Sequence, residues 1–337
     1  MSSEESFFLD SGTSGCVYNP PIPCAKQKID SSIRSKLVGK IMKAPASTFE
    51  LDVGAVVKGI VGWQRYFIVQ EKAICDSKNF SVIRKQYQDD CKIMRNAQDK
   101  NLVQLLSPYG GHPLFQMRIN NSFNFMRAFR HMLEGVAKLS EQGVCHFDIK
   151  DNNILVDSAG TFRIIDFGSA FLGDQVVEES RWRQQFHFDP GYYPCPPELA
   201  CQNAINDRLV YGKKVGLNDA ISQIIKRNYV FKSMEDILGV SMESSEAELR
   251  KFWDEQEEWD GEDWVPFFRI YWRVWDTWGM GIIFLKLLQT CFLQESFIEG
   301  TWKIHGAIIR QVLKGLLRAD PRQRLTGVEA EKLLREF

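Results

Sequence analysis

Two segments most constrain what this chain can be, HFDIKDNN at 146–153 and IIDFG at 164–168. The first has the pattern H-x-D-x-x-x-x-N, with Lys150 two residues after Asp148. The second places another acid, Asp166, directly after a short apolar run. Short apolar runs bounded by turn residues are typical of strands, so both polar groups adjoin predicted strands. We therefore expect the two segments to converge on one site.

The chemistry that requires this set of side chains is phosphoryl transfer from a nucleotide. Asp148 would orient and deprotonate the attacking hydroxyl, and Lys150 would offset charge on the moving phosphoryl group. Asp166 and the amide oxygen of Asn153 would hold magnesium. The alternative is an Asp- and Asn-rich turn beside an unrelated D-F-G tripeptide. The order and spacing of the two segments favour the catalytic interpretation.

This motif set is the one known in protein kinases, and an N-terminal segment extends the resemblance. Residues 9–17, LDSGTSGCV, resemble the glycine loop that covers the nucleotide phosphates. Gly12 and Gly15 are present, and Asp10 stands where the family has its first glycine. Glycine suits that loop because it lets the backbone approach phosphates closely. The resemblance implies that Gly12, Gly15 and Val17 bind the nucleotide.

The resemblance continues with a lysine and a glutamate. Lys40 in LVGK resembles the strand lysine of V-A-I-K. Glu50 resembles its partner on the following helix, and Glu71 is a more distant alternative. An ion pair between the two would position Lys40 on the α- and β-phosphates of ATP. Three nearby lysines are alternatives for the strand position: Lys28, Lys36 and Lys43.

Three later segments resemble further kinase elements. Pro196-Pro197-Glu198 resembles the A-P-E end of the activation segment. Asp276 opens a D-x-W-x-x-G segment like that of the large buried C-lobe helix, and Arg324 ends a D-P-x-x-R segment. The resemblance implies that Arg324 pairs with Glu198 and that Asp276 caps the backbone of the catalytic loop. Because a broken buried ion pair is costly, Arg324 and Glu198 are expected to depend on each other.

With these elements in the expected order, the chain resembles eukaryotic-type protein kinases over roughly residues 7–337. The Asp148-x-Lys150 spacing resembles the serine/threonine subtype more than the tyrosine subtype. The resemblance implies ATP as the phosphoryl donor, Mg²⁺ or Mn²⁺ as the metal, and proteins as substrates. Two alternatives remain, a pseudokinase-like binding scaffold and a small-molecule kinase. The first predicts loss of a catalytic residue, and the second usually lacks the D-F-G glycine.

Strand patterns dominate the first third of the chain and helical patterns its last half, so the sequence predicts an α+β protein. In the family that it resembles, this is a bilobal fold with a small β-rich N-lobe and a larger, mostly helical C-lobe. We expect the N-lobe over 1–106, a hinge at 107–111 and the C-lobe over 112–337, with a helical insert at about 199–275. The resemblance implies that Tyr109 in the hinge lies beside the adenine.

Local patterns predict several boundaries inside these lobes. They are a helix over 44–61 with Ser47 as a plausible N-cap, a strand over 65–75, a helix over 122–143 that stops at Gly143, and a capping box of Ser245 and Glu248 in the helical run 244–259.

The chain departs from the kinase pattern at three places. Phe147 replaces the arginine of H-R-D, which in the family grips a phosphate on the activation loop. The resemblance therefore implies activity without activation-loop phosphorylation. The segment 166–198 contains no threonine, and Gly191 stands where a threonine often contacts the catalytic aspartate and lysine. The insert is longer than usual and is interpreted as a helical elaboration of the C-lobe, with a docking surface for a partner as the alternative.

Three short strings narrow the resemblance. They are GCVYNPPIPC at 15–24, LSPYGG at 106–111 and YYPCPPE at 192–198. They resemble kinases encoded by large nucleocytoplasmic DNA viruses. A viral origin would imply a location in the host cytoplasm, at a viral assembly site or in the virion.

Composition restricts the partners. The formal net charge is -1, from 42 basic and 43 acidic residues, and gives no electrostatic reason to expect nucleic acid or a membrane surface. The acidic start MSSEESFFLD does not resemble a secretory signal, so we expect a cytoplasmic protein. The eight cysteines show no zinc spacing. They are therefore expected to be reduced thiols rather than disulfides or metal ligands.

Overall fold

A computed structural model of the protein describes most of the chain. The described residues are 5–12, 15–24, 29–76, 85–95, 101–173, 187–212, 215–256 and 264–336. The strands are β1 (Phe7–Ser11), β2 (Cys16–Asn19), β3 (Leu37–Lys43), β4 (Lys72–Asp76), β5 (Leu102–Pro108), β6 (His112–Pro113), β7 (Val144–Cys145), β8 (Ile154–Val156), β9 (Phe162–Ile164) and β10 (Phe171–Leu172).

Four of the described helices precede β6, and the others follow it. The helices are α1 (Ser31–Arg34), α2 (Ala44–Lys58), α3 (Lys85–Asp90), α4 (Lys92–Arg95), α5 (Phe125–Glu141), α6 (Pro197–Tyr211), α7 (Leu217–Arg227), α8 (Tyr229–Leu238), α9 (Met242–Asp254), α10 (Trp264–Tyr271), α11 (Trp275–Cys291), α12 (Glu295–Phe297), α13 (Lys303–Leu316) and α14 (Gly327–Arg335). A β-sheet N-terminal region and a mostly helical C-terminal region confirm the predicted α+β class.

The chain divides into two compact units. The first comprises Met1–His112, Leu155–Ser158 and Arg163–Ala170, and the second comprises Pro113–Ile154, Ala159–Phe162 and Phe171–Phe337. The first unit thus includes two short segments that the predicted lobe boundaries placed after the hinge. A reason is visible within the first unit, where Phe67 and Ile164 form a parallel bridge.

The first unit is built on an antiparallel sheet of five strands in the order β1-β2-β3-β5-β4. The longest pairing joins β3 to β5, with Lys40 opposite Leu105. Helix α2 follows β3 directly and buries Glu50, Val53 and Val57 along one face. That spacing is the helical repeat of a face turned toward a core. A lysine on β3 and a glutamate on α2 are thereby fixed within one small unit.

Two predicted boundaries in the first unit are wrong. Helix α2 begins after Lys43, with a proline in its first turn, and the Ser47 hydroxyl donates to the Ala44 carbonyl inside that turn. Proline suits the first helical turn because it has no N–H to satisfy, so Ser47 is not the N-cap. The predicted strand 65–75 is ordered as a strand only from Lys72, since the buried Tyr66 and Phe67 follow a 3₁₀ turn instead.

Four of the cysteines are paired, contrary to the expectation of reduced thiols. Cys16 on β2 is bonded to Cys91 between α3 and α4, and Cys24 is bonded to Cys75 on β4. Their sequence separations are 75 and 51 residues, so spacing along the chain gave no sign of the pairs. The bonds tie the segments 15–24 and 85–95 to the sheet, around a buried cluster that includes Tyr18.

The second unit is organised around α11, which is apolar on all sides and buried along nearly its whole length. A helix with that composition is typical of the centre of a helical domain. Helix α5 packs against it, and Phe129 lies 4.4 Å from Phe284 between ring centroids. The left-handed Gly143 after α5, at φ 76°, confirms the predicted stop.

The described part of the insert is helical and packs on the second unit. Trp253 of α9 stacks on Phe267 of α10, which in turn contacts Trp275 of α11. The predicted capping box is wrong, because α9 begins one turn earlier and Ser241 is its N-cap. Glu248 instead accepts from the Asp320 backbone N–H. Residues 257–263, at the end of the predicted helical run and beyond it, lie outside the described residues.

Within the described ranges, no single helix is long and apolar enough to cross a bilayer. One bent pair of helices, Pro266–Cys291 with Glu295–Leu316, has sufficient length and apolar composition when the two helices are taken together.

Candidate active site

Lys40 is held between two carboxylates in the first unit. Its Nζ lies 3.0 and 2.8 Å from the two carboxylate oxygens of Glu50 and 2.7 Å from Oδ1 of Asp166. Lys40 and Glu50 are 5% and 2% exposed, so both charged groups are buried. We call these three residues the lysine cluster. Buried charges need partners of opposite sign. In the lysine cluster the Lys40 ammonium is the partner of both carboxylates.

The electrostatics of the lysine cluster keep Lys40 charged. Burial alone would favour the neutral amine, yet the negative charges of Asp166 and Glu50 raise the pKa of Lys40 above its ordinary value. The described alternatives for these positions, Lys36, Lys43 and Glu71, are exposed. Lys28 lies outside the described residues. The site therefore offers a fixed cation inside the first unit.

Asp166 reaches Lys40 from an unusual backbone conformation. Its φ of 65° and ψ of 74° lie in the left-handed region, which aspartate tolerates better than most residues. The following 3₁₀ turn, Phe167–Ser169, places the Gly168 N–H 3.4 Å from Oδ1 of Asp166. Phe167 is buried and meets the Phe67 ring edge-on. A left-handed residue other than glycine is often found at a functional site.

The glycine loop is described at both ends. The Gly12 N–H donates to the Gly15 carbonyl at 2.9 Å, whereas Thr13 and Ser14 lie outside the described residues. A Cβ on Gly15 would lie 2.4 Å from the Ile41 carbonyl oxygen, so glycine is required there by the neighbouring strand. Val17 pairs with Lys40 across β2 and β3, which places it beside the lysine cluster in the sheet.

The predicted hinge belongs to the first unit. The Tyr109 N–H donates to the Lys36 carbonyl at 2.8 Å, and the Tyr109 side chain is 40% exposed. Gly111 has φ 105°, and a Cβ there would lie 2.1 Å from the Val156 carbonyl oxygen. Only glycine fits such a position without movement of the backbone.

The second unit assembles Asp148, Lys150 and Asn153, which we call the aspartate cluster. Lys150 Nζ lies 2.8 Å from Oδ2 of Asp148. The Asn153 Nδ2 donates to that same oxygen and to the Asp148 carbonyl, both at 2.9 Å. A 3₁₀ turn over Asp151–Asn153 brings the asparagine back toward the aspartate. The carboxylate of Asp148 is thus fixed by two donors at one of its oxygens.

Asp276 supports the backbone that carries the aspartate cluster. Its carboxylate accepts from the His146 N–H at 2.7 Å and from the Phe147 N–H at 2.8 Å. Burial raises the pKa of Asp276, and those backbone donors act in the opposite direction. This confirms that Asp276, at the start of α11, caps the backbone at His146 and Phe147.

Phe147 occupies the position of the missing arginine as part of an apolar cluster. Its ring contacts Phe171 and Trp275, at centroid distances of 5.7 and 5.5 Å. Its φ is 70°, so the loop turns through a left-handed residue just before Asp148. Phe147 therefore presents a ring to the core of the second unit where the kinase pattern has a cation.

Two tyrosines were missed by motif matching. The Tyr192 hydroxyl donates to Oδ1 of Asp148 at 2.9 Å, and the Tyr193 hydroxyl donates to Oδ1 of Asp151 at 3.0 Å. Lys286 Nζ lies 3.0 Å from the other oxygen of Asp151. No sequence pattern identified these contacts, because more than 40 residues separate each tyrosine from its acid.

The predicted magnesium ligands have suitable chemistry, and they belong to different units. Asn153 donates through Nδ2 to Asp148, which leaves its amide oxygen as the atom for a cation. Asp166 supplies a carboxylate whose side chain is 33% exposed. Among the described residues no three His, Cys, Asp or Glu side chains form a group that could hold a metal. Mg²⁺ in phosphoryl-transfer sites commonly takes only one or two protein ligands beside substrate phosphates, so Asn153 and Asp166 remain the predicted magnesium ligands.

Comparison with known proteins finds similarity to protein kinases. The family described as "Protein kinase domain" matches residues 52–215. A serine/threonine-protein kinase PSK1 of Saccharomyces cerevisiae is 43% identical over 58 residues, which is 17% of this chain and 4% of that protein. The CTD kinase subunit alpha of Schizosaccharomyces pombe is 29% identical over 180 residues, or 48% of this chain and 28% of that protein.

A third similar protein is the serine/threonine-protein kinase HAL5 of Saccharomyces cerevisiae. It is 29% identical over 112 residues, which cover 33% of this chain and 12% of HAL5. The chain therefore spans less than a third of the length of these relatives. The family match and the similar kinases show that the chain is similar to eukaryotic protein kinases over about half of its length.

Proposed function

We propose that this chain is a protein serine/threonine kinase that transfers the γ-phosphoryl group of ATP to hydroxyl groups of proteins. One observation carries the proposal, namely that the Lys40 ammonium is buried between the carboxylates of Glu50 and Asp166. A buried ion pair by itself is weak evidence of a stabilising role. A fixed, charged lysine beside a glycine loop is, by contrast, what the binding of nucleotide phosphates requires.

The aspartate cluster supplies the acceptor side of the reaction. Asp148 would accept the proton of the attacking hydroxyl as its oxygen forms a bond to the γ-phosphorus. The bond between the γ-phosphorus and the bridging oxygen to the β-phosphate breaks, and ADP leaves. Lys150, 2.8 Å from Asp148, offsets negative charge on the transferring group. Positioning and charge neutralisation account for most of the catalysis in such reactions.

The remaining residues would hold the nucleotide and the metal. Asn153 and Asp166 would bind Mg²⁺ or Mn²⁺, which neutralises phosphate charge when bound. Lys40 would bind the α- and β-phosphates, held in place by Glu50. Gly12, Gly15 and Val17 would cover the phosphates, and Tyr109 would adjoin the adenine.

We also propose that the activity does not depend on a phosphate in the activation segment. Phe147 has no charge to bind such a phosphate, and its ring packs on Phe171 and Trp275. Phosphate-dependent ordering normally relies on an arginine in this place. Phosphatase treatment is expected to leave the rate unchanged, and a large loss of activity would contradict this part of the proposal.

The resemblance of three short strings to kinases of large nucleocytoplasmic DNA viruses supports a viral origin as a further proposal. Such a kinase would work in the host cytoplasm, at an assembly site or in the virion. Detection of the protein in purified virions and in cytoplasmic fractions would distinguish the proposed locations.

The described part of the insert, with its helices packed on α11, is proposed as an elaboration of the C-lobe.

The substrate class can be tested directly. The full chain would be incubated with γ-labelled Mg-ATP, a generic protein acceptor and, separately, small alcohols. We expect label on serine and threonine of the protein acceptor and none on the alcohols. Label on the alcohols alone would indicate a small-molecule kinase, and nucleotide binding without transfer would indicate a scaffold.

A further inference from the structure

Tyr192 contacts the one oxygen of Asp148 that the aspartate cluster leaves unheld. Lys150 and Asn153 both donate to Oδ2 of Asp148, at 2.8 and 2.9 Å. The Tyr192 hydroxyl donates to Oδ1 at 2.9 Å. A carboxylate accepts about four hydrogen bonds in all. These three donors therefore leave one acceptor position, on Oδ1, for the hydroxyl of a substrate.

The position of Tyr192 is set by the backbone on both sides of it. The Tyr192 N–H donates to the Asp189 carbonyl, and the Cys195 N–H donates to the Tyr192 carbonyl, each at 3.2 Å. The Tyr193 carbonyl accepts from the indole N–H of the fully buried Trp278 at 3.1 Å. Tyr192 is thus held by a short anchored segment, although 45% of its surface is exposed.

The neighbouring Tyr193 ties the same segment to the catalytic loop a second time. Its hydroxyl donates to Asp151, which also pairs with Lys286, and the Lys286 ammonium lies 4.1 Å from the centre of the Tyr193 ring. Two consecutive tyrosines therefore bind two acids three residues apart in one loop. This second attachment limits how far the Tyr192 hydroxyl can move from Asp148.

The Tyr192 hydroxyl stays protonated in this contact. Burial, and then the negative charge of Asp148, raise the pKa of the Tyr192 hydroxyl, so it remains a donor at neutral pH. The other titratable groups acting on Tyr192 are Cys195 and Tyr193. Around Asp148 itself lie Lys150 and the His146 ring, whose Nδ1 accepts from the Asp148 N–H at 3.3 Å.

We infer that Tyr192 is a positioning residue for the proposed base, and that its hydroxyl fixes Oδ1 of Asp148 so that the remaining acceptor position of that oxygen receives the substrate hydroxyl. This inference rests on the proposed function. Gly191, at the position where the kinase pattern often has a threonine, has no side chain to serve this purpose. The contact is instead supplied by the next residue, through a longer side chain.

The test compares Tyr192→Phe with wild type in the full chain. The substitution removes one hydroxyl and retains the ring. Loss of a hydrogen bond to a charged group is expected to lower kcat roughly tenfold, whereas KM for ATP stays unchanged.

Ser296→Ala is the matched control. It removes one exposed hydroxyl of the same unit, which donates to Oδ1 of Asn121 at 3.1 Å. We expect it to leave both kcat and KM for ATP unchanged. Melting temperatures of both variants should match wild type, which separates loss of positioning from loss of folding.

The outcomes are distinguishable. Unchanged kcat in Tyr192→Phe overturns the inference and leaves the proposed function standing. A faster variant also overturns it, since the hydroxyl would then obstruct the acceptor. If wild type transfers no phosphate to any acceptor, the proposed function fails and the inference fails with it.

Discussion

Arg324 and Glu198 form a two-point ion pair in which both side chains are fully buried. The guanidinium nitrogens lie 2.8 and 2.7 Å from the two carboxylate oxygens, and both side chains are 0% exposed. The pair joins the start of α6 to the segment before α14, 126 residues apart in sequence. This confirms the partnership that the resemblance implied for these two residues.

Removing one partner of this pair should be strongly destabilising. Arg324→Met leaves the Glu198 carboxylate buried without its cation, which costs about 3–5 kcal/mol in the free energy of unfolding. Urea denaturation measures the change. The double variant Glu198→Leu with Arg324→Met should lose less stability than the sum of the losses in the two single variants.

Glu331→Gln, at an exposed pair with Arg335, is the control and should leave the melting temperature unchanged. A loss below about 1 kcal/mol in Arg324→Met would contradict a buried pair.

Glu50 should matter for catalysis through its hold on Lys40. Without the Glu50 charge, the Lys40 ammonium has Asp166 as its remaining carboxylate in the lysine cluster and is displaced from its position. Misplacement of a catalytic group by about 1 Å costs roughly 10²-fold, so Glu50→Gln should lower kcat/KM for ATP by about that factor. Steady-state kinetics with varied ATP give the value. Glu71→Gln, at an exposed glutamate of the same unit, should behave as wild type; equal losses in both variants would remove Glu50 from the site.

The two disulfides predict a count of free thiols. Denaturation without reductant in the presence of an alkylating agent should modify four of the eight cysteines. Cys91→Ser should lower the free energy of unfolding by about 2–4 kcal/mol without reductant. That difference should shrink when reductant opens the bond in wild type. Alkylation of all eight cysteines would show that the pairs do not form.

The insert should respond to acid through Glu246. A hydrogen bond from Arg250 to its carboxylate, at 3.1 Å from Nε, lowers the pKa of Glu246 below its usual 4.5. An acid whose pKa is lower in the folded state adds stability above about pH 4.5, and this stability is lost as pH falls through the folded value. The gain is at most about 1 kcal/mol, since the pair is partly exposed.

The corresponding measurement compares Glu246→Gln with wild type in urea at pH 7 and pH 3. Wild type should be more stable than Glu246→Gln at pH 7, and the difference should be smaller at pH 3. Glu299→Gln, at a more exposed pair with Lys303, should show no difference at either value. A difference for Glu246→Gln that is as large at pH 3 as at pH 7 would assign the effect to packing rather than charge.

The sequence predicted those contacts that lie within short motifs or between motifs of known order. Asp148, Lys150 and Asn153 are neighbours in the chain, and the turn that joins them follows from their spacing. Within the lysine cluster, the pairing of Lys40 with Glu50 required only that Lys40 be on a strand and Glu50 on the next helix. Such features are set by residues close together in the chain, and predictions from local sequence patterns are the most reliable ones.

Contacts set by the tertiary fold were not predictable in the same way. The pairing of Cys16 with Cys91 depends on where the segment 85–95 packs, and no spacing rule reveals it. Tyr192 reaches Asp148 only because the segment before α6 is anchored to Trp278. Ser47 had the right residue type for an N-cap, but the proline in the first turn moved the start of α2 forward.

The measurement that tests the central claim most directly is phosphate transfer by Asp148→Asn. Asparagine keeps the shape of the side chain and removes the charge that would accept the hydroxyl proton. With γ-labelled Mg-ATP and a protein acceptor, transfer should fall by about 10²–10⁴-fold. Nucleotide affinity should stay at the wild-type value, and Asp166→Ala should abolish transfer in parallel. Transfer by Asp148→Asn at the wild-type rate would contradict the account.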